Sequence, residues 1–305
     1  MALRPVDLVI AAYNAVLALV WLSLWSKTPV APWVSVAHGA AAILPWALRG
    51  IPRVPSAVRA LSVTYPIAAL AIFWTELGRV QALRGARPLD ATVERLDLAL
   101  FGVHWHEVWM TSMPQAWMSE IMHFGYFLYY LVLVIPPVAI LFARGRDAFR
   151  SVALAVMVTY LSCFLFYIVF PVYGPRAMAG GVLAPAPGGL FHSLVEAARE
   201  RGDSLGTAFP SSHVAGASTV AWVAWRWLPR GWAALLTIAA AMVALSTVYT
   251  RNHYAVDALA GLLWVVPLQA WLVPWLERRV PPRGTGGRGK PAPASPHEVS
   301  SPTSP

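Results

Sequence analysis

Two histidines stand at the start of apolar segments, where their side chains could act together on one substrate. His213 follows the turn Pro210-Ser211-Ser212, and His253 begins the stretch His253-Tyr254-Ala255-Val256-Asp257. An imidazole can serve as nucleophile, general acid or general base near neutral pH. Helix N-termini also present unpaired N–H groups to an anion. The pair therefore predicts phosphate chemistry, in which one ring attacks phosphorus and the other protonates the departing oxygen.

The spacing of Asp257 from His253 allows its carboxylate to orient the His253 imidazole. It follows His253 by four residues, so a helix that begins near Asn252 places both side chains on one face. A carboxylate there can hold one imidazole nitrogen and leave the other nitrogen free to attack. The same spacing also fits a His–Asp pair that only orients a helix end.

Four further residues are candidates for binding the phosphate. Ser211 and Ser212 can cap the exposed amides of the helix that carries His213. The guanidinium of Arg176 can grip two phosphoryl oxygens, although a solvated loop arginine fits its position as well. Arg251, two residues before His253, can bind phosphate or anchor the chain at the membrane interface.

The composition indicates that membrane helices position these residues. Of the 305 residues, 58% are hydrophobic and 12% are charged, against about 25% charged in soluble domains. The apolar runs match the roughly 20 residues that a bilayer-spanning helix needs. We predict an all-α, polytopic bundle of about eight transmembrane helices. The expected spans are 7–26, 31–48, 58–78, 117–143, 151–171, 212–229, 231–250 and 254–276.

Two segments between these spans differ from them. In residues 88–102, Val93, Leu96 and Leu100 recur at helical spacing, which predicts a short amphipathic helix on the membrane surface. It could serve for packing, or as a lid or entry for substrate. The connection 172–211 is long enough to suggest a functional loop that folds over a polar cavity.

The net charge of +9 is explained by membrane topology. The basic residues are scattered through short loops, without a basic helix or an aromatic-basic platform, so no nucleic-acid partner is expected. With both termini in the cytoplasm, most basic residues lie inside, as the positive-inside rule prefers. The segments 79–116, 172–211 and the turn near 251 then share the outer face. The composition suits a multi-pass protein of a bacterial inner membrane with an extracytoplasmic site.

The remaining features limit the possible cofactors and domains. The single Cys163 lies in an apolar run, which excludes a disulfide and argues against a metal cluster; neither a cofactor nor a metal is expected. Residues 1–278 are predicted to form one membrane-embedded domain. Residues 279–305, rich in Pro, Gly and Ser, are predicted to be a disordered cytoplasmic tail.

These motifs carry a family resemblance. The order Pro-Arg, Pro-Ser-Ser-His and Asn-His-Tyr-x-x-x-Asp resembles the type 2 phosphatidic acid phosphatase superfamily. Residues 90–143, with Tyr126-x-x-Tyr129-Tyr130, are similar to its inositol phosphorylceramide synthase branch. The resemblance implies a six-helix phosphatase-type core and metal-independent catalysis through a phosphohistidine. His253 would be the nucleophile, Asp257 its orienting partner and His213 the general acid.

The resemblance also implies a phosphate pocket formed by Arg176 and the Ser211–Ser212 region. Two cations typical of the superfamily are missing, because Val169 and Thr247 stand at their positions. Arg251 could compensate for one of them.

Three activities fit these features. The first is a membrane lipid phosphatase or phosphotransferase, and the second is head-group transfer to an alcohol acceptor such as inositol. The third is a proton-coupled transporter, for which Glu120 and His123 in the fourth span are the additional polar residues. The gathering of polar residues at one outer surface favours the enzymes over the transporter.

Overall fold

The structure is a computed structural model that describes residues 3–47, 56–179, 188–202 and 204–279. These residues form helices joined by short connections, and an isolated parallel bridge pairs Val172 with Thr207. The helices are α1 Pro5–Ser23, α2 Ala31–Ala47, α3 Ser56–Arg84, α4 Asp90–Phe101, α5 Trp105–Ser112, α6 Ala116–Arg144, α7 Arg146–Val169, α8 Pro175–Met178, α9 Leu190–Gly202, α10 Ser212–Trp227, α11 Arg230–Tyr249, α12 Ala255–Pro267 and α13 Val273–Arg279. A π-helical turn, Leu268–Leu272, joins α12 to α13.

The predicted all-α membrane bundle is confirmed. Five helical segments in the described ranges are long and apolar enough to cross a membrane: α1, α6, α7, α11 and the continuous stretch Ala255–Arg279. The expected spans at α2, α3 and α10 are also helical, although α10 has only 16 residues. The predicted tail lies almost wholly outside the described residues, since α13 ends at Arg279.

Helix α10 lies at the centre of the bundle, in contact with α6, α7, α11 and α12. Gly216 permits its close packing on α7, because a Cβ there would lie 2.1 Å from the Tyr160 hydroxyl. Between the same helices the hydroxyls of Thr159 and Thr219 are 2.8 Å apart. Mutual hydrogen bonds are the expected solution for polar groups that cannot reach water inside a bilayer. His213 is therefore carried by a helix held on several sides.

The amphipathic segment forms a helix, α4, but two of its acidic residues face the protein. Asp90 and Asp97 are 1% and 0% exposed, while Leu96 and Leu100 are 44% and 56% exposed. From a helical wheel alone, carboxylates are expected to face water. Here both carboxylates accept hydrogen bonds from backbone amides of other segments, which offsets the cost of burying them. The exposed leucines suit contact with lipid.

The long connection 172–211 contains structure of its own. Its helix α9 packs on α6, and Trp74 of α3 donates a hydrogen bond to the Gly202 carbonyl. Glu120 of α6 accepts hydrogen bonds from the first amides of α9, those of Phe191 and His192, both at 3.0 Å. These bonds satisfy orphan donors at the helix start. Helix α9 is thereby fixed beside the N-terminal end of α6.

Candidate active site

Backbone hydrogen bonds join the three predicted motifs. The Arg176 amide donates to the Arg251 carbonyl at 3.0 Å, and the Ser211 amide donates to the Asp257 carbonyl at 3.0 Å. Near them, the Ala208 amide donates to the Val172 carbonyl at 2.8 Å. Segments that are up to eighty residues apart in sequence thus meet at one place.

Asp90 of α4 holds the segment that carries Arg176. Its carboxylate accepts the amides of Tyr173 and Gly174, each at 2.8 Å, and the Tyr254 hydroxyl at 3.2 Å. Gly174 has φ of +89°, and a Cβ there would lie 2.6 Å from the Asn252 carbonyl oxygen. Only glycine combines that backbone conformation with so close an approach. The Arg176 segment is therefore built to pack against the His253 turn.

Asp97, the second buried carboxylate of α4, holds the start of α12. One of its oxygens accepts the Val256 amide at 2.8 Å, which is one of the orphan donors of the first helical turn. A negative charge at this helix end also interacts favourably with the helix dipole. Together the two carboxylates of α4 hold the segment that carries Arg176 and the start of α12, next to His253.

His253 and Asp257 are paired as their spacing predicts. His253 Nδ1 lies 3.3 Å from Asp257 Oδ2, an oxygen that also accepts the Tyr254 amide at 2.9 Å. Both residues are buried, at 3% and 0% exposure. If the carboxylate accepts the Nδ1 proton, Nε2 of His253 carries the free lone pair.

His213 faces Nε2 of His253. Its Nδ1 lies 3.4 Å from His253 Nε2, and its own Nε2 lies 3.0 Å from the Tyr126 hydroxyl. A hydroxyl can donate or accept, so Tyr126 accommodates both the neutral and the protonated ring. Tyr129 and Trp74 also lie against His213, with ring centroids 4.4 and 6.5 Å away. The structure therefore brings His213, His253 and Asp257 into one hydrogen-bonded series.

The two serines lie at the start of α10, as their sequence position predicts. Ser211 is the N-cap, and its hydroxyl accepts the Val214 amide at 3.4 Å. The Ser212 amide donates to the Tyr167 hydroxyl at 3.1 Å, and both serines are buried. Gly261 of α12 allows this turn to pack closely, because a Cβ there would lie 2.5 Å from the Ser211 carbonyl oxygen.

The Arg176 side chain forms an ion pair with Glu196, which is not one of the predicted site residues. Its two terminal nitrogens donate to the carboxylate of Glu196 on α9, one of them at 2.9 Å. Burial of Glu196 raises its pKa, but the hydrogen bond from Arg176 and the nearby Arg199 outweigh it, so the pKa lies below its usual range. The Arg176 side chain is still 43% exposed.

Arg199 is a buried cation that the sequence analysis missed. It is 4% exposed, donates to Glu196 at 2.6 Å and lies 5.0 Å from the ring centre of Tyr126, the residue that contacts His213. Its Nε and Nη2 find no hydrogen-bond partner among the residues that the structure describes. The sequence signal for Arg199 was its spacing of three residues from Glu196, which fits an ion pair on one helix face. Such pairs usually lie in solvent, so the spacing did not indicate that Arg199 is buried.

The residues at the positions of the two expected cations, Val169 and Thr247, carry no charge. Val169 is 70% exposed at the end of α7, and Thr247 is buried with its hydroxyl donating to the Ala244 carbonyl at 2.8 Å. Arg251 has φ of +59°, and its Nε donates to the His106 carbonyl of α5 at 3.1 Å. A phosphate-binding role for Arg251 thus stays a prediction.

Among the described residues, two groups of side chains could hold a metal ion: Asp97 with His104 and His106, and His123 with His192 and Glu196. Burial, with smaller effects of nearby His104 and Arg251, lowers the pKa of His106 to about 4.

His123 bonds to its own helix through the Ser119 carbonyl at 2.7 Å. His123 and Glu120 thus pack α6 against α9.

Comparison with known proteins agrees with these motifs. A family model of the PAP2 superfamily matches residues 92–271, more than half of the chain. The chain belongs to the PAP2 superfamily. A PA-phosphatase related-family protein of Dictyostelium discoideum is 32% identical over 114 residues, which are 34% of this chain and 20% of that protein. No solved structure matches the chain at a significant level. Membership of this superfamily agrees with the order of the histidine motifs, and the long apolar helices agree with a protein embedded in a membrane.

Replacement of Asp90 by alanine tests how the PAP2 pocket is assembled. In Asp90→Ala, the buried Tyr173 and Gly174 amides lose their acceptor, so we expect the free energy of unfolding to fall by about 2–4 kcal/mol. Thermal or denaturant unfolding of the detergent-purified protein measures this change. Thr92→Ala, an exposed position on the same helix, should unfold like the wild type. An unchanged unfolding transition in Asp90→Ala would contradict the role of this carboxylate.

Proposed function

We propose that this PAP2 superfamily protein is a membrane lipid phosphatase or phosphotransferase that works through a phosphohistidine on His253. The observation that carries the proposal is the series from Asp257 through His253 to His213. When Nδ1 of His253 donates its proton to Asp257, the lone pair lies on Nε2 of this buried imidazole, and a second imidazole lies 3.4 Å from it. A nucleophile oriented by a carboxylate, beside a proton donor, is the arrangement that phosphoryl transfer through a covalent intermediate requires.

The proposed reaction has two steps. In the first, the two rings move apart from their 3.4 Å contact to admit the phosphoryl group, Nε2 of His253 forms a bond to phosphorus, and the bond from phosphorus to the leaving oxygen breaks. Protonated His213 gives its Nδ1 proton to that oxygen. Its Nε2 proton stays on the ring and forms a hydrogen bond to the Tyr126 hydroxyl. Asp257 stabilises the positive charge that develops on His253. In the second step His213 accepts a proton from water or an alcohol, whose oxygen attacks phosphorus and releases His253.

The phosphoryl oxygens are proposed to bind Arg176, Arg199 and the start of α10. Arg176 offers two parallel donors, which now contact Glu196, so the substrate phosphate would replace that carboxylate. Arg199 has unused donors within the described structure and would supply a charge that Val169 and Thr247 do not. Ser211 and Ser212 present the helix N-terminus, which favours an anion.

The substrate class follows from the surroundings of the pocket. The site lies at one end of membrane helices, beside the exposed leucines of α4, so a phosphate ester or anhydride with a lipid tail can reach it from the bilayer. We place it on the extracytoplasmic face of a bacterial inner membrane, on the basis of the basic loops. Water as acceptor gives hydrolysis, whereas inositol or another alcohol gives head-group transfer.

A substrate screen with the two histidine variants tests the proposed function. Purified protein is incubated with phosphatidic acid, a prenyl diphosphate, or a phospholipid donor plus inositol, and both free phosphate and transferred head group are measured. We expect turnover to fall by about 10³-fold or more in His253→Ala. In His213→Ala, which loses the proton donor, it should fall by about 10²–10⁴-fold. Undiminished turnover in either variant, with the fold retained, would overturn the assigned roles.

Arg199 is tested by charge removal. Because this guanidinium would contact a phosphoryl oxygen, Arg199→Ala should lower kcat/KM by about 10–100-fold and weaken inhibition by vanadate. Arg199→Lys, which keeps the charge, should recover part of the loss. The matched control is Arg95→Ala, since Arg95 is exposed and bonds to its own helix through the Ala91 carbonyl. Equal vanadate inhibition in Arg199→Ala and wild type would exclude a phosphate contact.

A further inference from the structure

A second cluster of polar side chains lies beside the active site, where α4 is joined to α5. It consists of Asp97 near the end of α4, His104 at the turn and His106 in the first turn of α5. One potential ligand atom from each residue lies within 4.8 Å of the other two. Asp97 and His106 are 0% and 4% exposed, and the His104 side chain is 23% exposed.

The cluster contains three buried polar atoms without hydrogen bonds. Oδ2 of Asp97, Nδ1 of His104 and Nδ1 of His106 find no partner within the described structure. The Asp97 oxygen is 3.7 Å from His104 Nδ1, which is beyond hydrogen-bonding distance. Buried polar groups are normally satisfied. Each residue of the cluster therefore carries a buried polar atom whose hydrogen-bonding capacity is unused, which a bound ion could satisfy.

We propose that Asp97, His104 and His106 bind a divalent transition-metal ion, with zinc as the best fit. Two imidazoles and one carboxylate are a common ligand set for such ions. Metal–ligand bonds of about 2.0–2.2 Å place neighbouring ligand atoms about 3–4 Å apart, and the separation of 3.7 Å between Asp97 and His104 lies in that interval. The partial exposure of His104 gives the ion a route from solvent and leaves room for water as a fourth ligand.

The other possible cluster, His123 with His192 and Glu196, is occupied by internal contacts. Nδ1 of His123 lies 2.7 Å from the Ser119 carbonyl oxygen. Both oxygens of Glu196 accept hydrogen bonds from arginines. A metal ion would have to break these contacts, whereas it would satisfy open atoms at Asp97, His104 and His106. This contrast makes His192 a suitable control position.

The ion would act as a structural brace, away from the transferred phosphoryl group. The other oxygen of Asp97 accepts the Val256 amide at 2.8 Å, next to Asp257 in sequence, and the His106 carbonyl accepts Arg251 Nε at 3.1 Å. Fixing the connection between α4 and α5 would thus fix the turn that carries His253. A bound metal stabilises the folded state because the unfolded chain lacks the assembled site.

Zinc binding by the full chain tests this proposal without using activity. The tag-free protein in detergent is treated with a chelator, dialysed and titrated with Zn²⁺, while bound metal and the unfolding temperature are measured. We expect about one ion per chain and a rise in unfolding temperature. In His104→Ala and in Asp97→Asn, binding should weaken by about 10-fold or more. Asp97→Asn retains an acceptor for the Val256 amide, so its fold is preserved.

His192→Ala is the matched control and should bind zinc like the wild type. Two results would overturn the proposal: a wild-type chain that binds no zinc, or binding that is unchanged in both His104→Ala and Asp97→Asn. Loss of binding only in His192→Ala would assign the ion to the other cluster and would equally overturn it. Formation of a phosphoenzyme is measured separately, so failure of this metal site and failure of the proposed catalysis are distinguishable.

Discussion

The pocket depends on the requirement that backbone amides at buried helix starts and turns find acceptors inside the protein. Water cannot reach amides that are buried in the protein, so each must bond to a neighbouring segment. Asp90 accepts the two amides before Arg176, and Asp97 accepts one at the start of α12. The Asp257 carbonyl accepts the Ser211 amide that precedes α10. These bonds bring the Arg176, His213 and His253 segments to one point.

This assembly explains how a membrane bundle with few charges can support phosphate chemistry. Beside this assembly, Arg199 and Glu196 of α9 meet Arg176. Glu196 forms an ion pair with Arg176, and the proposed substrate phosphate would replace that carboxylate. Preorganised donors of this kind need little rearrangement during the reaction. The stability of the bundle and the geometry of the pocket therefore rest on the same hydrogen bonds.

Sequence periodicity and spacing were sufficient for the fold and for part of the site. Apolar runs of bilayer length led to the helical bundle, and the four-residue spacing led to the His253–Asp257 contact. The structure also brings His213 to that pair, while the roles of all three stay predictions. Arg199 was missed because a charged residue in a long loop carries no sequence sign of burial. The inward direction of Asp90 and Asp97 was missed because a helical wheel does not register distant amides that need acceptors.

The central claim is that His253 forms a covalent bond to phosphorus. The most direct test is to quench the purified enzyme during turnover under alkaline denaturing conditions, which preserve phosphohistidine, and to map the modified peptide by mass spectrometry. The account predicts a phosphate on the ring of His253 that appears with substrate and disappears when substrate is exhausted. A phosphate found on His213, or rapid turnover without any covalent phosphate, would contradict it.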